Sequence, residues 1–171
     1  MRISNTNNNI YNNIYNTLRT FGMSSTTSDS IASLSSIDNF YKKNIHIAYA
    51  IINNKEIWCM NRKKIEIPHS RKCSEHAEER LVKKINKCFY RKKNKSNKIS
   101  IYSLRINNQG HVKCAKPCRD CMNYILNSRV KIKNILWYEY VNGNIQVVSA
   151  KPCKHVYETC GISSGRKYHQ N

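Results

Sequence analysis

Two short motifs, His76-Ala77-Glu78 and Pro117-Cys118-Arg119-Asp120-Cys121, constrain this chain more than any other feature. They carry metal donors in two distant segments, so a fold that uses both must bring those segments to one point. The residues around each motif suggest how. Ala77, Leu81, Val82, Ile85 and Cys88 recur at offsets of 0, 4, 5, 8 and 11, one apolar face of an amphipathic helix. His76 and Glu78 then fall in its first turn, where unpaired N–H groups and the positive end of the dipole favour negative charge. A second helix is predicted from about Cys118, carrying Met122, Tyr124, Ile125 and Leu126. Cysteines at i and i+3 of a first turn point the same way and can share an ion. Pro117 suits the helix entrance, where a missing N–H costs nothing.

His76, Cys118 and Cys121 together offer three ligands for Zn2+. Structural zinc usually takes four protein ligands, whereas catalytic zinc keeps one position open. Two thiolates and a neutral imidazole balance the charge of the ion. Glu78 reaches the open position without being a ligand, and a carboxylate there can carry a proton. Two other readings stay open. Cys73, Cys114, Cys153 or His155 could close the site as a fourth ligand, leaving Glu78 an ordinary helix carboxylate. Cys118 and Cys121 could instead be a redox pair, which leaves His76-Ala77-Glu78 without a role.

The rest of the chain alternates strands with these helices. Asn44–Ile52 and Glu56–Met60 are β-rich, and Asn53-Asn54-Lys55 between them reads as a hairpin turn. The first of these strands is apolar on both faces, which places it inside a sheet. Asn61–Lys72 reads as a loop leading to the first helix, and residues 90–98 as an exposed basic loop. Lys98–Ile106 is predicted as a third strand, closed by Asn107-Asn108-Gln109-Gly110, and Lys131–Val141 as a fourth. Asn142-Gly143 turns it into a fifth, antiparallel strand at Asn144–Ala150. The order β-β-α-β-α-β-β describes an α/β fold with a mixed five-stranded sheet.

Residues 39–150 therefore form the predicted domain. Residues 1–38 are rich in Asn, Ser and Thr, and their few apolar groups predict a disordered tail. The alternative is a short surface helix, since Ile10, Ile14 and Leu18 recur every fourth residue. Residues 151–171 read as an irregular tail. Ala115-Lys116-Pro117-Cys118 recurs as Ala150-Lys151-Pro152-Cys153, a match short enough to be coincidence.

The formal charge is +20, and all of the excess lies in residues 41–171, where 28 Lys and Arg face eight acids. Such a field attracts phosphates of nucleotides or nucleic acid. An A/T-rich coding sequence, which over-uses Asn, Ile and Lys, would give the same excess without any partner. Residues 1–25 lack the apolar core of a signal peptide and no segment reaches transmembrane length, so an intracellular, soluble protein without membrane contact is expected. In a reducing compartment the eight cysteines point to metal or redox chemistry rather than to structural bridges.

Over residues 42–150 the sequence resembles the cytidine/deoxycytidylate deaminase superfamily, whose signature is His-x-Glu followed by Pro-Cys-x-x-Cys. The resemblance rests on the strand pair, Asn61 after it, His76-Ala77-Glu78, Lys116-Pro117-Cys118-Arg119-Asp120-Cys121 and the strand ending at Tyr138. It implies a three-layer α-β-α fold and a zinc-dependent hydrolytic deaminase, with His76, Cys118 and Cys121 on the metal. Glu78 would shuttle protons between an activated water and the base, and ammonia would leave. Asn61 would contact the substrate sugar and the Ala77 backbone the base. Relatives often assemble as dimers or tetramers, so a homo-oligomer is implied as well.

Two features bear on the substrate, and they pull apart. The tight Asn142-Gly143 turn leaves no helix between the last strands, which resembles the branch acting on free nucleosides, including blasticidin-type enzymes. That favours a cytosine-type nucleoside or nucleotide, with Arg105 or Arg119 near a phosphate. The basic helix and insert over 83–98 favour a nucleic acid, with Lys83, Lys84, Lys87 and the insert as a phosphate track and Phe89 and Tyr90 for stacking. A third class is a non-catalytic basic zinc protein that binds nucleic acid on the same scaffold.

Overall fold

A computed structural model describes residues 5–35, 44–63, 74–89, 99–107, 109, 111–142 and 144–162. The basic insert 90–98, Cys73, Gly143, most of the 61–72 loop and the end of the C-terminal tail lie outside the described residues. The chain divides into two units, Met1–Ile45 with Arg105–Lys113, and His46–Leu104 with Cys114–Asn171.

The first unit begins with two helices, α1 (Asn5–Thr20) and α2 (Ser25–Ser35), which pack on each other. This corrects the expectation of a disordered tail over the described part of 1–38. The apolar residues are few, but helical periodicity gathers them on one side. Ile14, Leu18, Met23, Ile31 and Ala32 are all buried. Gly22 takes a positive φ of 77° after α1, which suits a residue without Cβ. The Ser24 hydroxyl accepts the Thr27 N–H at 3.2 Å and caps α2.

The second unit is built on a sheet. Strand β1 (Ile45–Ile52) pairs antiparallel with β2 (Lys55–Met60), in register from Ile47 opposite Met60 to Ile52 opposite Lys55. Asn53 and Asn54 join them with φ of 51° and 61°, the paired positive values that a tight type I′ turn requires. Next come β3 (Arg62–Lys63) and β4 (Ser74–Glu75), a two-residue antiparallel ladder where a plain loop was expected. Ladders this short leave no periodicity in a sequence.

Helix α3 (Ala77–Phe89) follows, then β5 (Ile99–Ile106) and β6 (Val112–Lys113). β6 is a sixth strand that the five-strand expectation lacked. It pairs with the end of β5 because Asn107 folds the chain back, its side-chain oxygen accepting the N–H groups of Gln109 and His111. Helix α4 (Arg119–Leu126), β7 (Ile132–Val141), β8 (Asn144–Ala150) and α5 (Lys154–Glu158) complete the chain. β5 and β7 run parallel, β7 and β8 antiparallel, and the main order is β2-β1-β5-β7-β8. The described residues thus form a mixed α/β protein with an open six-stranded sheet and five helices. None of these helices is long and apolar enough to cross a membrane.

One face of the sheet carries the core of the second unit. Ala48, Ala50 and Ile52 of β1, Ile99 and Ile101 of β5, and Ile135 and Trp137 of β7 meet Leu81, Val82 and Ile85 of α3 and Met122 and Ile125 of α4. Burying a side chain of this size contributes about 1.5–3 kcal/mol each, so this face fixes where α3 and α4 begin. Asn86 adds a polar tie, accepting the Ser128 hydroxyl at 3.0 Å and the Val130 N–H at 3.3 Å.

The C-terminal segment is more ordered than an irregular tail. Val156 and Tyr157 of α5 pack on the core, Cys160 is buried, and Arg119 donates its N–H to the Gly161 carbonyl at 2.9 Å. The repeated Ala-Lys-Pro-Cys has one local consequence in both places. Cys118 and Cys153 each stand, in extended conformation, as the residue that caps the following helix.

Candidate metal centre

His76 immediately precedes α3 and Cys118 immediately precedes α4, so packing those helices on the same face brings both motifs together. The Cys118 and Cys121 sulfurs each lie 3.3 Å from His76 Nδ1, and all three donor atoms are within 4.8 Å of one another. Tetrahedral zinc with ordinary Zn–S and Zn–N bonds sets its sulfur and nitrogen ligands about 3.5 Å apart. Two thiols and one imidazole at these distances fit such an ion. Among the described residues this is the one group of three that could hold a metal. Cys114, Cys153 and His155 are exposed and do not belong to it, so none of them closes the site.

The two thiols differ in their readiness to ionise. Cys118 is lowered to about 5, because the Cys121 thiol stabilises its thiolate and His76 assists against the opposing effect of burial. Cys121 is pushed up by its bond to Cys118, by burial and by the nearby Glu78 charge. Their proximity thus favours a thiolate at Cys118 and opposes one at Cys121.

Glu78 is fully buried and stands beside the donor group rather than in it. Its Oε2 lies 3.5 Å from the Cys121 sulfur. Its Oε1 accepts the Ser103 hydroxyl at 3.0 Å and lies 3.1 Å from His46 Nε2. His46 Nε2 is also 3.0 Å from Ser103 Oγ. Burial alone raises the pKa of this carboxyl, but the His46 charge and hydrogen bond, a backbone hydrogen bond and His76 together hold it down to about 2. Glu78 is thus a buried anion at neutral pH.

The two residues that the resemblance assigned to substrate meet each other. Asn61 Oδ1 accepts the Ala77 N–H, the first amide of α3, at 2.8 Å. Arg80 reinforces this junction by donating from Nη1 to the Met60 carbonyl at 2.6 Å. Asn61 thus anchors the start of α3.

The basic track is only partly free. Lys83 is paired with Glu75 and Glu79, and these carboxylates raise its pKa against the opposing effect of its partial burial. Lys84 and Lys87 are exposed, while the half-buried Phe89 packs against the core. Arg119 lies 5.7 Å from the Tyr157 ring and Lys116 5.9 Å from that of Trp137, each at cation–π distance. Arg105 is exposed.

His46 and Ser103 were absent from the residues expected at the site. Their signal was present but faint. His46 shares its strand face with Ala48 and Ala50, and Ser103 shares its own with Ile99 and Ile101, so each sets a polar group in an inward-facing apolar row. No family model matches the chain, and neither does any curated protein or solved structure compared with it.

Proposed function

We propose that this protein binds one zinc ion through His76, Cys118 and Cys121 and hydrolytically deaminates a cytosine-type nucleoside or nucleotide. The reading takes the fold as a cytidine deaminase-like sheet, with Glu78 as the catalytic carboxylate. One observation carries it: a fully buried Glu78 directs Oε2 at the donor group without joining it. A closed zinc knot needs no carboxylate beside its ligands, whereas a water at an open zinc position needs a proton acceptor.

Bound zinc would supply Lewis acidity, lowering the pKa of water at its open position to about 7. Glu78 Oε2 would take a proton there and pass it to the base, whose amino group leaves as ammonia while the water oxygen replaces it. The net change is one amino group exchanged for one carbonyl oxygen. Ala77, adjacent to Glu78, offers backbone to the base edge, as the resemblance implies. A homo-oligomer would also be in keeping with that resemblance.

A second reading, action on bases within RNA or DNA, draws on the exposed Lys84 and Lys87 and on the +20 charge. Ammonia release from a panel of nucleosides, nucleotides and oligonucleotides separates the two. Turnover confined to free cytosine compounds supports the first reading, turnover confined to oligonucleotides the second. Equal release by wild type and Glu78→Ala on every substrate would end both.

A further inference from the structure

The carboxylate that the proposed chemistry uses is held by two residues from other strands. Ser103 belongs to β5 and His46 to β1, and both side chains converge on Oε1 of Glu78. Ser103 and Glu78 are fully buried, and the His46 side chain is only 14% exposed. Three polar groups in an apolar layer are tolerated when their hydrogen bonds are satisfied, and that condition fixes where the protons sit.

The Ser103 hydroxyl has one proton to give. If it goes to Glu78 Oε1, His46 must bring its own proton on Nε2, because an unprotonated Nε2 would set a lone pair against a carboxylate oxygen at 3.1 Å. If it goes instead to His46, that repulsion is left in place and Oε1 loses both donors. The first arrangement satisfies every group. Oε1 then accepts the Ser103 hydroxyl, the His46 Nε2–H lies between Ser103 Oγ at 3.0 Å and Oε1 at 3.1 Å, and Oε2 is the oxygen that faces Cys121.

We propose that His46 is a positioning residue for Glu78: its Nε2–H, shared between Ser103 Oγ and Glu78 Oε1, and the Ser103 hydroxyl together hold Oε1, so that Oε2 alone is presented to the His76, Cys118 and Cys121 group. The role follows from the reading of Glu78 as proton carrier, but the clamp itself does not depend on deamination. A carboxylate free to rotate would offer either oxygen over a range of angles. Misplacement of a reacting group by about 1 Å can cost on the order of a hundredfold in rate.

Two substitutions distinguish a positioned donor from mere bulk. The Gln side-chain amide can place an N–H where His46 Nε2 stands, whereas the shorter Asn amide corresponds to Nδ1. His46→Asn should lower kcat by about 10- to 100-fold with KM nearly unchanged and zinc content intact, while His46→Gln recovers most of kcat. Equal rates for the two variants would overturn the positioning role. The second arm needs no turnover. Long-range 1H–15N NMR of the zinc-loaded full-length protein, with His46 assigned through His46→Gln, should show Nε2 carrying a proton whose signal moves in Glu78→Gln and in Ser103→Ala. A His46 protonated only on Nδ1, or an Nε2 signal indifferent to both substitutions, would overturn the clamp. Wild type without Glu78-dependent turnover would remove the proposed reaction, and the NMR arm would still decide the clamp.

Discussion

Asn61 and Ala77, sixteen residues apart, are joined by a 2.8 Å hydrogen bond from the Ala77 amide to the Asn61 side-chain oxygen. The bond ties the chain just after β2 to the first residue of α3, immediately ahead of Glu78. It satisfies an amide that a helix start would otherwise leave without a partner. Asn61→Ala should therefore destabilise the protein by about 1 kcal/mol, while Asn61→Asp, which keeps an acceptor at a helix N-terminus, should cost much less. Urea unfolding of the three proteins measures both. Equal losses for Ala and Asp would mean that the side-chain oxygen does not cap α3.

Zinc binding should depend on pH in a way the thiol pair dictates. Cys118 is held below the usual thiol range and its neighbour Cys121 above it. Zinc takes both as thiolates, so binding should release protons, seen as a buffer-dependent heat in calorimetry, and affinity should fall as the pH is lowered. A heat independent of the buffer, with an affinity indifferent to pH, would contradict thiolate ligation.

Glu78 makes a separate prediction about stability without metal. Its folded pKa, about 2, lies below the ordinary value of 4.5, so the fold favours the charged form. The contribution is fully present above pH 4.5 and is lost as the pH falls toward 2. It amounts to a few kcal/mol, by the usual conversion of about 1.4 kcal/mol per pKa unit. Metal-stripped Glu78→Gln should lack this part of the acid-induced loss. Parallel acid unfolding curves for the two proteins would count against an ionised, clamped carboxylate.

The N-terminal helices test the role of apolar spacing. Leu18 is fully buried in α1, and Leu18→Ala should destabilise its unit by about 2–5 kcal/mol. Limited proteolysis should then cut within residues 5–35 well before the wild type is cut. Unchanged protection would contradict the packing of α1 on α2.

Much of the second unit was legible in the sequence because long elements announce themselves. The continuous apolar run of β1 and the 3.6-residue spacing in α3 place both within a residue or two of where they fold. The donor group was legible because metal ligation needs particular residue types at particular spacings. α1 was legible only as the alternative to a disordered tail, since the predominance of Asn, Ser and Thr outweighed the recurrence of Ile14 and Leu18, and α2 was not legible. β3, β4 and β6 are too short to carry a pattern. His46 and Ser103 could not be assigned because their partner, Glu78, becomes their neighbour only once β1 and β5 lie beneath α3.

His76, Cys118 and Cys121 are proposed to hold zinc while Glu78 acts beside them. The most direct measurement determines zinc content and ammonia release from cytidine, deoxycytidine and their monophosphates in the same preparations. Wild type should contain close to one zinc per chain and turn over at least one of these compounds. Glu78→Gln should keep the zinc and lose turnover by about 100-fold or more, whereas His76→Ala and Cys118→Ser should lose both. A wild type without zinc, or a Glu78→Gln protein that keeps both zinc and full turnover, would contradict the account.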